Sequence, residues 1–149
     1  MTPIRAFTMI LVLAGAAHAA GNRGTPAEAK AMLAKAVAHV KEAGRKQSFA
    51  DFTAKKPPFS DRDLYVVCLA SDHTVAAHGA FPAYVGSPVD VLKDADGKNL
   101  GQAIWEAATK GNGEVRYPMR NPMTGKIERK VGFFQKIGDD VCGVGAYSP

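Results

Sequence analysis

Asp63-Leu64-Tyr65-Val66-Val67-Cys68-Leu69-Ala70 runs into Ser71-Asp72-His73-Thr74 and then Val75-Ala76-Ala77-His78. The first run is short, apolar and rich in β-branched and aromatic residues, the signature of a strand buried on both faces. Ser71 to Thr74 are turn formers, and Val75 to His78 has the length of a return strand. An antiparallel pair is therefore predicted at 64–70 and 75–78.

On the N-terminal side, Thr25-Pro26-Ala27-Glu28 is a helix start. Thr25 can cap free amides, Pro26 suits the first helical position, and Glu28 completes a capping box. Ala29, Met32, Leu33, Ala36, Val37 and Val40 fall on one face, with Lys30, Lys35, Lys41 and Glu42 elsewhere. This predicts an amphipathic helix of about four turns that stops at Gly44 and lays its apolar stripe on a sheet. Ser48 to Phe52 adds one helical turn, burying Phe49 and Phe52, before Lys55-Lys56-Pro57-Pro58 breaks the pattern.

On the C-terminal side, residues 79–96 form a long irregular connection, a kind more often functional than idle. A second helix is expected over 99–110, with Leu100, Ile104, Trp105 and Ala108 inward. Three strands follow at 114–120, 126–137 and 141–147, separated by Asn121-Pro122-Met123-Thr124-Gly125 and Gly138-Asp139-Asp140. Helix, two strands, a helical connection and three strands make an α+β domain. No internal repeat is visible.

Residues 1–19 read as a cleavable signal peptide: Arg5 near the start, an apolar stretch around Ile10 to Leu13, and Ala17-His18-Ala19 as the small-x-small site. The alternative is an uncleaved anchor, although the stretch falls short of the roughly 20 apolar residues a span needs. Residues 20–24 are expected to be a flexible leader, and 25–149 a single domain. Formal charge is +5 for the whole chain. The basic residues are scattered, without the aromatic-interleaved stripe that nucleic acid requires. Two cysteines, Cys68 and Cys142, permit a disulfide in an exported protein and are too few to suggest a metal or redox motif. No GxSxG, HExxH or CxxCH pattern occurs, so neither catalysis nor a cofactor or metal is expected.

Several short patterns, in this order and spacing, resemble single Cache domains, the extracytoplasmic relatives of PAS domains. They are Asp63-Leu64-Tyr65-Val66-Val67; Ala77-His78-Gly79 with Pro82 and Val85-Gly86; Leu92-Lys93-Asp94-Ala95-Asp96-Gly97-Lys98; Gly111-Asn112-Gly113-Glu114-Val115-Arg116-Tyr117 followed by Asn121-Pro122; Lys130 with Phe133; and Gly143-Val144-Gly145-Ala146-Tyr147. The resemblance spans Thr25 to Tyr147. It implies a five-stranded antiparallel sheet in the order 2-1-5-4-3, a long N-terminal helix on one face and a helical connection over the other. First and last strands are then neighbours, which places Cys68 and Cys142 on adjacent strands, either as a disulfide or as a pair of small buried residues.

The resemblance also places ligand contacts on the third and fourth strands and the connection, here Tyr117, Met119, Lys130 and Phe133. Tyr117 and Met119 share a parity and leave one face of a strand. Tyr117 offers a phenol and an apolar ring, and Lys130 a point charge suited to a carboxylate. Met119 stands where relatives often carry an aromatic, and Phe133 where they often carry Tyr; both make the pocket less polar. His78, where the long connection begins, can donate to an anion or respond to pH, or else is satisfied by nearby backbone. Asp94 reads as a turn or helix cap, since the remaining ligands of a calcium loop are missing. Arg116 and Arg120 have the opposite parity to Tyr117 and face solvent or the first helix. His39 and His73 read as surface residues.

The expected function is that of an exported, periplasmic sensor domain binding a small organic molecule such as a short carboxylate. Because the chain stops two residues after its last expected strand, output is expected through a separate membrane-bound histidine kinase, chemoreceptor or transporter, as in chemotaxis. The alternative is an envelope interaction or structural module in which Met119 and Phe133 simply fill the core.

Overall fold

The computed structural model describes residues 21–148. The expected signal peptide at 1–19 lies outside the described residues. The element order is α1 (Pro26–Ala43), α2 (Arg45–Thr53), β1 (Ser60–Asp61), β2 (Leu64–Leu69), β3 (Val75–His78), single 3-10 turns at Pro82–Tyr84 and Val89–Val91, α3 (Leu100–Lys110), β4 (Glu114–Arg120), β5 (Ile127–Ile137) and β6 (Asp140–Ser148).

The capping box opens α1. The Glu28 amide donates to the Thr25 hydroxyl at 3.2 Å, and the Thr25 amide donates to the Glu28 carboxylate at 2.7 Å. Gly44 ends the helix at φ 82°, a region side chains disfavour. The chain then re-enters helix at once. α2 is longer than the single turn expected, because Arg45, Lys46 and Gln47 are good helix formers and no breaker intervenes before Lys55. Phe49 and Phe52 are buried. α3 starts where Asn99 caps it, accepting from the Gln102 amide at 3.1 Å. Leu100 and Ile104 are its buried face, with Trp105 and Ala108 half-buried beside them.

The antiparallel sheet has six strands rather than five. Its path β3-β2-β6-β5-β4 follows the expected order. The additional strand is the two-residue β1, paired with the start of β2 through Ser60–Tyr65 and Asp61–Leu64, on the same edge that β3 takes further along.

Side-chain alternation divides the sheet into two faces. Leu64, Val66 and Cys68 on β2 and Cys142, Val144 and Ala146 on β6 meet the Ala29, Met32, Leu33 and Ala36 stripe of α1. Cys68 and Cys142 are direct partners across β2 and β6, with Cα atoms 4.1 Å apart and sulfurs bonded, beneath α1. The opposite face carries Leu69, Val75, Tyr117, Phe134 and Val141 against Val89, Leu92, Leu100 and Ile104 from the connection and α3. The functional candidates lie on this second face.

The end of the expected leader is docked. Arg23 grips both oxygens of Glu128, and the Gly24 amide donates to Asp63 at 2.6 Å.

Candidate functional site

On the second face, strand register sets Tyr117 of β4, Lys130 of β5 and Tyr147 of β6 in one row: Tyr117 pairs with Lys130, and Lys130 with Tyr147. Two glycines of β6 make room beside this row. A Cβ on Gly145 would lie 2.4 Å from Cε of Lys130, and one on Gly143 would lie 2.1 Å from the Phe134 ring. The space that remains is an internal cavity of about 40 Å³. Its lining combines polar Tyr65, His78, Tyr117 and Lys130 with apolar Val67, Leu92, Leu100, Ile104, Met119 and Phe134.

Lys130 is only 5% exposed. Its Nζ donates to the Tyr65 hydroxyl at 2.9 Å and sits 4.2 Å from the ring centres of both Tyr65 and Tyr147. The π faces stabilise the ammonium electrostatically. Among the described residues no carboxylate pairs with it. A buried cation without an acid partner is costly, and an incoming anion would relieve that cost.

The neighbouring groups are donors. Burial and the nearby charges of Lys130 and Lys55 hold His78 down at about pH 4, so its imidazole is neutral near pH 7. Its Nδ1 accepts from the amides of Ala80 at 3.2 Å and Phe81 at 2.9 Å. The ring proton therefore resides on Nε2, a donor. Burial pushes the Tyr117 phenol well above its usual range, keeping it protonated, and no hydrogen bond from the described residues reaches it. For Tyr65, burial acts upward but is outweighed by the Lys130 charge and hydrogen bond, which leave its phenol below the ordinary value. The Tyr147 hydroxyl is spent on the Arg120 carbonyl at 3.1 Å. The arrangement can offer an anion a cation and donors, and a short apolar group an apolar wall; among the described residues it contains no aligned nucleophile and base.

Four of the five residues singled out in the sequence line this cavity: His78, Tyr117, Met119 and Lys130. Phe133 does not. It lies on the α1 face, where Nζ of Lys30 stands 4.7 Å above its ring, and Phe134 occupies the cavity wall instead. The reason is parity: 130, 132 and 134 share a face of β5, and 133 does not. Parity within β5 could have identified Phe134. Tyr65 and Tyr147 were also missed, and only the cross-strand register brings them to Lys130.

Asp94 closes a turn, accepting from the amides of Asp96 and Lys98, each at 2.9 Å. Arg116 and Arg120 are exposed. His73 packs on Trp105 with ring centres 5.0 Å apart. His39 is not a free surface residue, because its Nε2 lies 2.9 Å from Asp51 and joins α1 to α2. Among the described residues no group of three or more acidic, His or Cys side chains could hold a metal, and no helix is long and apolar enough to cross a membrane.

A sheet walled by a helical connection, with an internal cavity between them, defines a PAS-like sensor module. The family model of single Cache domain 2 matches residues 8–147, and the chain belongs to that family. No curated protein matches it. Among solved structures, a methyl-accepting chemotaxis protein from Vibrio parahaemolyticus superposes with a TM-score of 0.68 at 21% identity, covering 81% of this chain and 86% of that one. A Cache chemosensory domain, solved for the structural basis of its carboxylic acid recognition, gives 0.59 at 18% identity, covering 80% and 86%. The periplasmic sensor domain of a chemotaxis protein gives 0.59 at 19%, covering 80% and 88%. At these identities the likeness is one of fold.

Proposed function

We propose that this chain is an extracytoplasmic sensor domain that binds a small monocarboxylate in the cavity beside Lys130. The observation that carries the reading is the buried Lys130 ammonium, which has no acid partner among the described residues and is flanked by donors from Tyr117 and His78. The carboxylate accepts from these three groups, and the apolar wall takes one or two carbons. Size supports this. A water needs roughly 10–15 Å³ of such space, and drug-sized pockets measure roughly 300–1,000 Å³. A cavity of about 40 Å³ suits an acid such as acetate or propionate. The carboxylic acid recognition of one structural neighbour is consistent with this class. Binding rather than catalysis is the role, and the output passes to a signalling or transport partner such as a histidine kinase, chemoreceptor or transporter.

The experiment is a thermal-shift and calorimetric series on the folded domain with formate, acetate, propionate, butyrate and methylammonium. Acetate and propionate are expected to stabilise it, by about 2.7 kcal/mol at a hundredfold excess over Kd, while methylammonium does nothing. Lys130→Met is expected to abolish the effect. No stabilisation by any acid overturns the reading. One observation favours a second one: the cavity is small enough to suit a filled core. A structural module of that kind would leave every melting curve in the series unchanged.

A further inference from the structure

We infer that Arg23 is a positioning residue for the Lys130 site, and that the N-terminal segment carrying it is gripped more tightly when an anion occupies that site. The inference rests on the carboxylate reading above and assigns the site its output.

The geometry runs through Asn121, which is fully buried in the turn after β4. Its Nδ2 donates to two buried carboxylates, Asp63 at 3.2 Å and Glu128 at 3.0 Å. Its Oδ1 accepts from the Met123 amide at 2.9 Å, so the amide orientation is fixed by the turn. The other contacts of the two acids run to the N-terminal segment and, for Glu128, also to the Thr124 hydroxyl, which donates to it at 3.1 Å. Asp63 takes the Gly24 amide, and Glu128 takes the Arg23 guanidinium. Such a two-pronged pair is geometrically specific. Arg23 is the cation of this cluster.

Two links tie the cluster to the cavity. Glu128 and Lys130 are two residues apart on one face of β5. Tyr147, whose ring walls the Lys130 ammonium, donates its hydroxyl to the carbonyl of Arg120, the residue directly before Asn121.

The sign follows from charge balance. Asp63, Glu128 and Lys130 are buried, where charges interact strongly, and Arg23, its side chain 34% exposed, joins them from the surface, which makes two anions and two cations. An anion bound to Lys130 adds negative potential, which Arg23, already paired with Glu128 two residues along the same strand face, helps to offset, as does Lys55 on the His78 side. Its hold on Glu128 therefore tightens. Reciprocity requires that loss of Arg23 weakens the anion by the same factor. A filled cavity is in this way reported at the point where the chain enters the domain.

The test is a double-mutant cycle read by propionate titration, with Gly24 amide exchange as a measurement that needs no ligand. R23A is expected to weaken propionate about fivefold, E128Q to tighten it, and R23A/E128Q to return close to the wild-type affinity. A merely structural role for Arg23 would lower the melting temperature without rescue by E128Q. In the ligand-free protein K130M removes the cation next to this cluster and is expected to slow exchange of the Gly24 amide. Equal propionate affinity in wild type and R23A overturns the coupling while leaving the site intact. If no acid binds but K130M slows Gly24 exchange, the carboxylate reading fails and the coupling stands. Unchanged Gly24 exchange in K130M overturns the coupling whether or not a ligand binds.

Discussion

Lys130 and Tyr147 are direct register partners across β5 and β6, and the Lys130 ammonium rests 4.2 Å from the Tyr147 ring. The tyrosine is held in turn by its hydrogen bond to the Arg120 carbonyl. The cation is thus fixed by aromatic faces rather than by an acid, which keeps its charge available to a ligand. A site of this design gives up folding energy for binding. Lys130→Met is expected to abolish carboxylate binding while leaving the stability of the empty domain within about 1 kcal/mol of wild type, because an unpaired buried charge is exchanged for an apolar chain of similar length. Chemical denaturation beside calorimetry checks both halves. A large loss of stability would mean that the cation is a structural element.

Gly145 sets the path of the Lys130 side chain. With a Cβ only 2.4 Å from Cε of Lys130, Gly145→Ala forces the lysine stem aside. The expected cost is about 1–3 kcal/mol in stability from overpacking, with propionate affinity falling at least about tenfold as Nζ leaves its cage. Gly86, where a Cβ would meet nothing within 4 Å, sits on the surface at φ 88°. Gly86→Ala controls for backbone cost alone and is expected to leave affinity unchanged.

The Cys68–Cys142 bridge links positions 74 residues apart and joins the two central strands beneath α1. Closing so long a loop restricts the unfolded chain, an effect of about 4 kcal/mol in the chain-entropy treatment. Reduction, or the double change to Ala, is expected to lower stability by about 2–4 kcal/mol. Because the bridge lies on the α1 face, the cavity should keep its shape. Propionate affinity measured below the melting temperature is expected to be unchanged by reduction.

Local patterning carried most of the fold. The capping box at Thr25, the apolar stripe of α1 and the dense apolar run of β2 each depend on residues close in sequence, and each element formed where it was expected. The site was half legible. Tyr117 and Met119 share a strand face whatever the register, and both line the cavity. Tyr65 and Tyr147 reach Lys130 from 65 and 17 positions away through β2–β6 and β5–β6 pairing. Nothing local encodes that approach. Phe133 is the instructive miss, because family likeness pointed to 133 while the period of two pointed to 134. Arg23 was hidden for another reason. A glycine-flanked segment looks mobile by composition, and its buried acid partner lies 105 residues away.

The acid limb of the stability curve should separate into two windows. His78 has an ordinary pKa of 6.5 and is held at about 4 in the folded domain by burial and by the charges of Lys130 and Lys55. The folded state therefore binds this proton less readily than the unfolded chain. Stability from the neutral ring is complete above pH 6.5 and is lost as pH falls toward 4. Glu128 behaves as a depressed acid: its bonds to Arg23 and Asn121 hold it at about 2 against an ordinary 4.5. Its contribution is complete above pH 4.5 and is lost as pH falls toward 2. His78→Gln is expected to flatten the curve between pH 6.5 and 4 without altering the lower limb. Glu128→Gln is expected to reduce the slope only below pH 4.5. Asp51, held at about 2 by Lys56 and His39, and Glu28, held at about 2 by Arg62 and Thr25, keep part of that lower slope in every variant. Melting temperatures measured from pH 2 to 8 on the two variants and the wild type decide the assignment. A wild-type-like slope between pH 6.5 and 4 in His78→Gln would show that the imidazole is not the group being titrated.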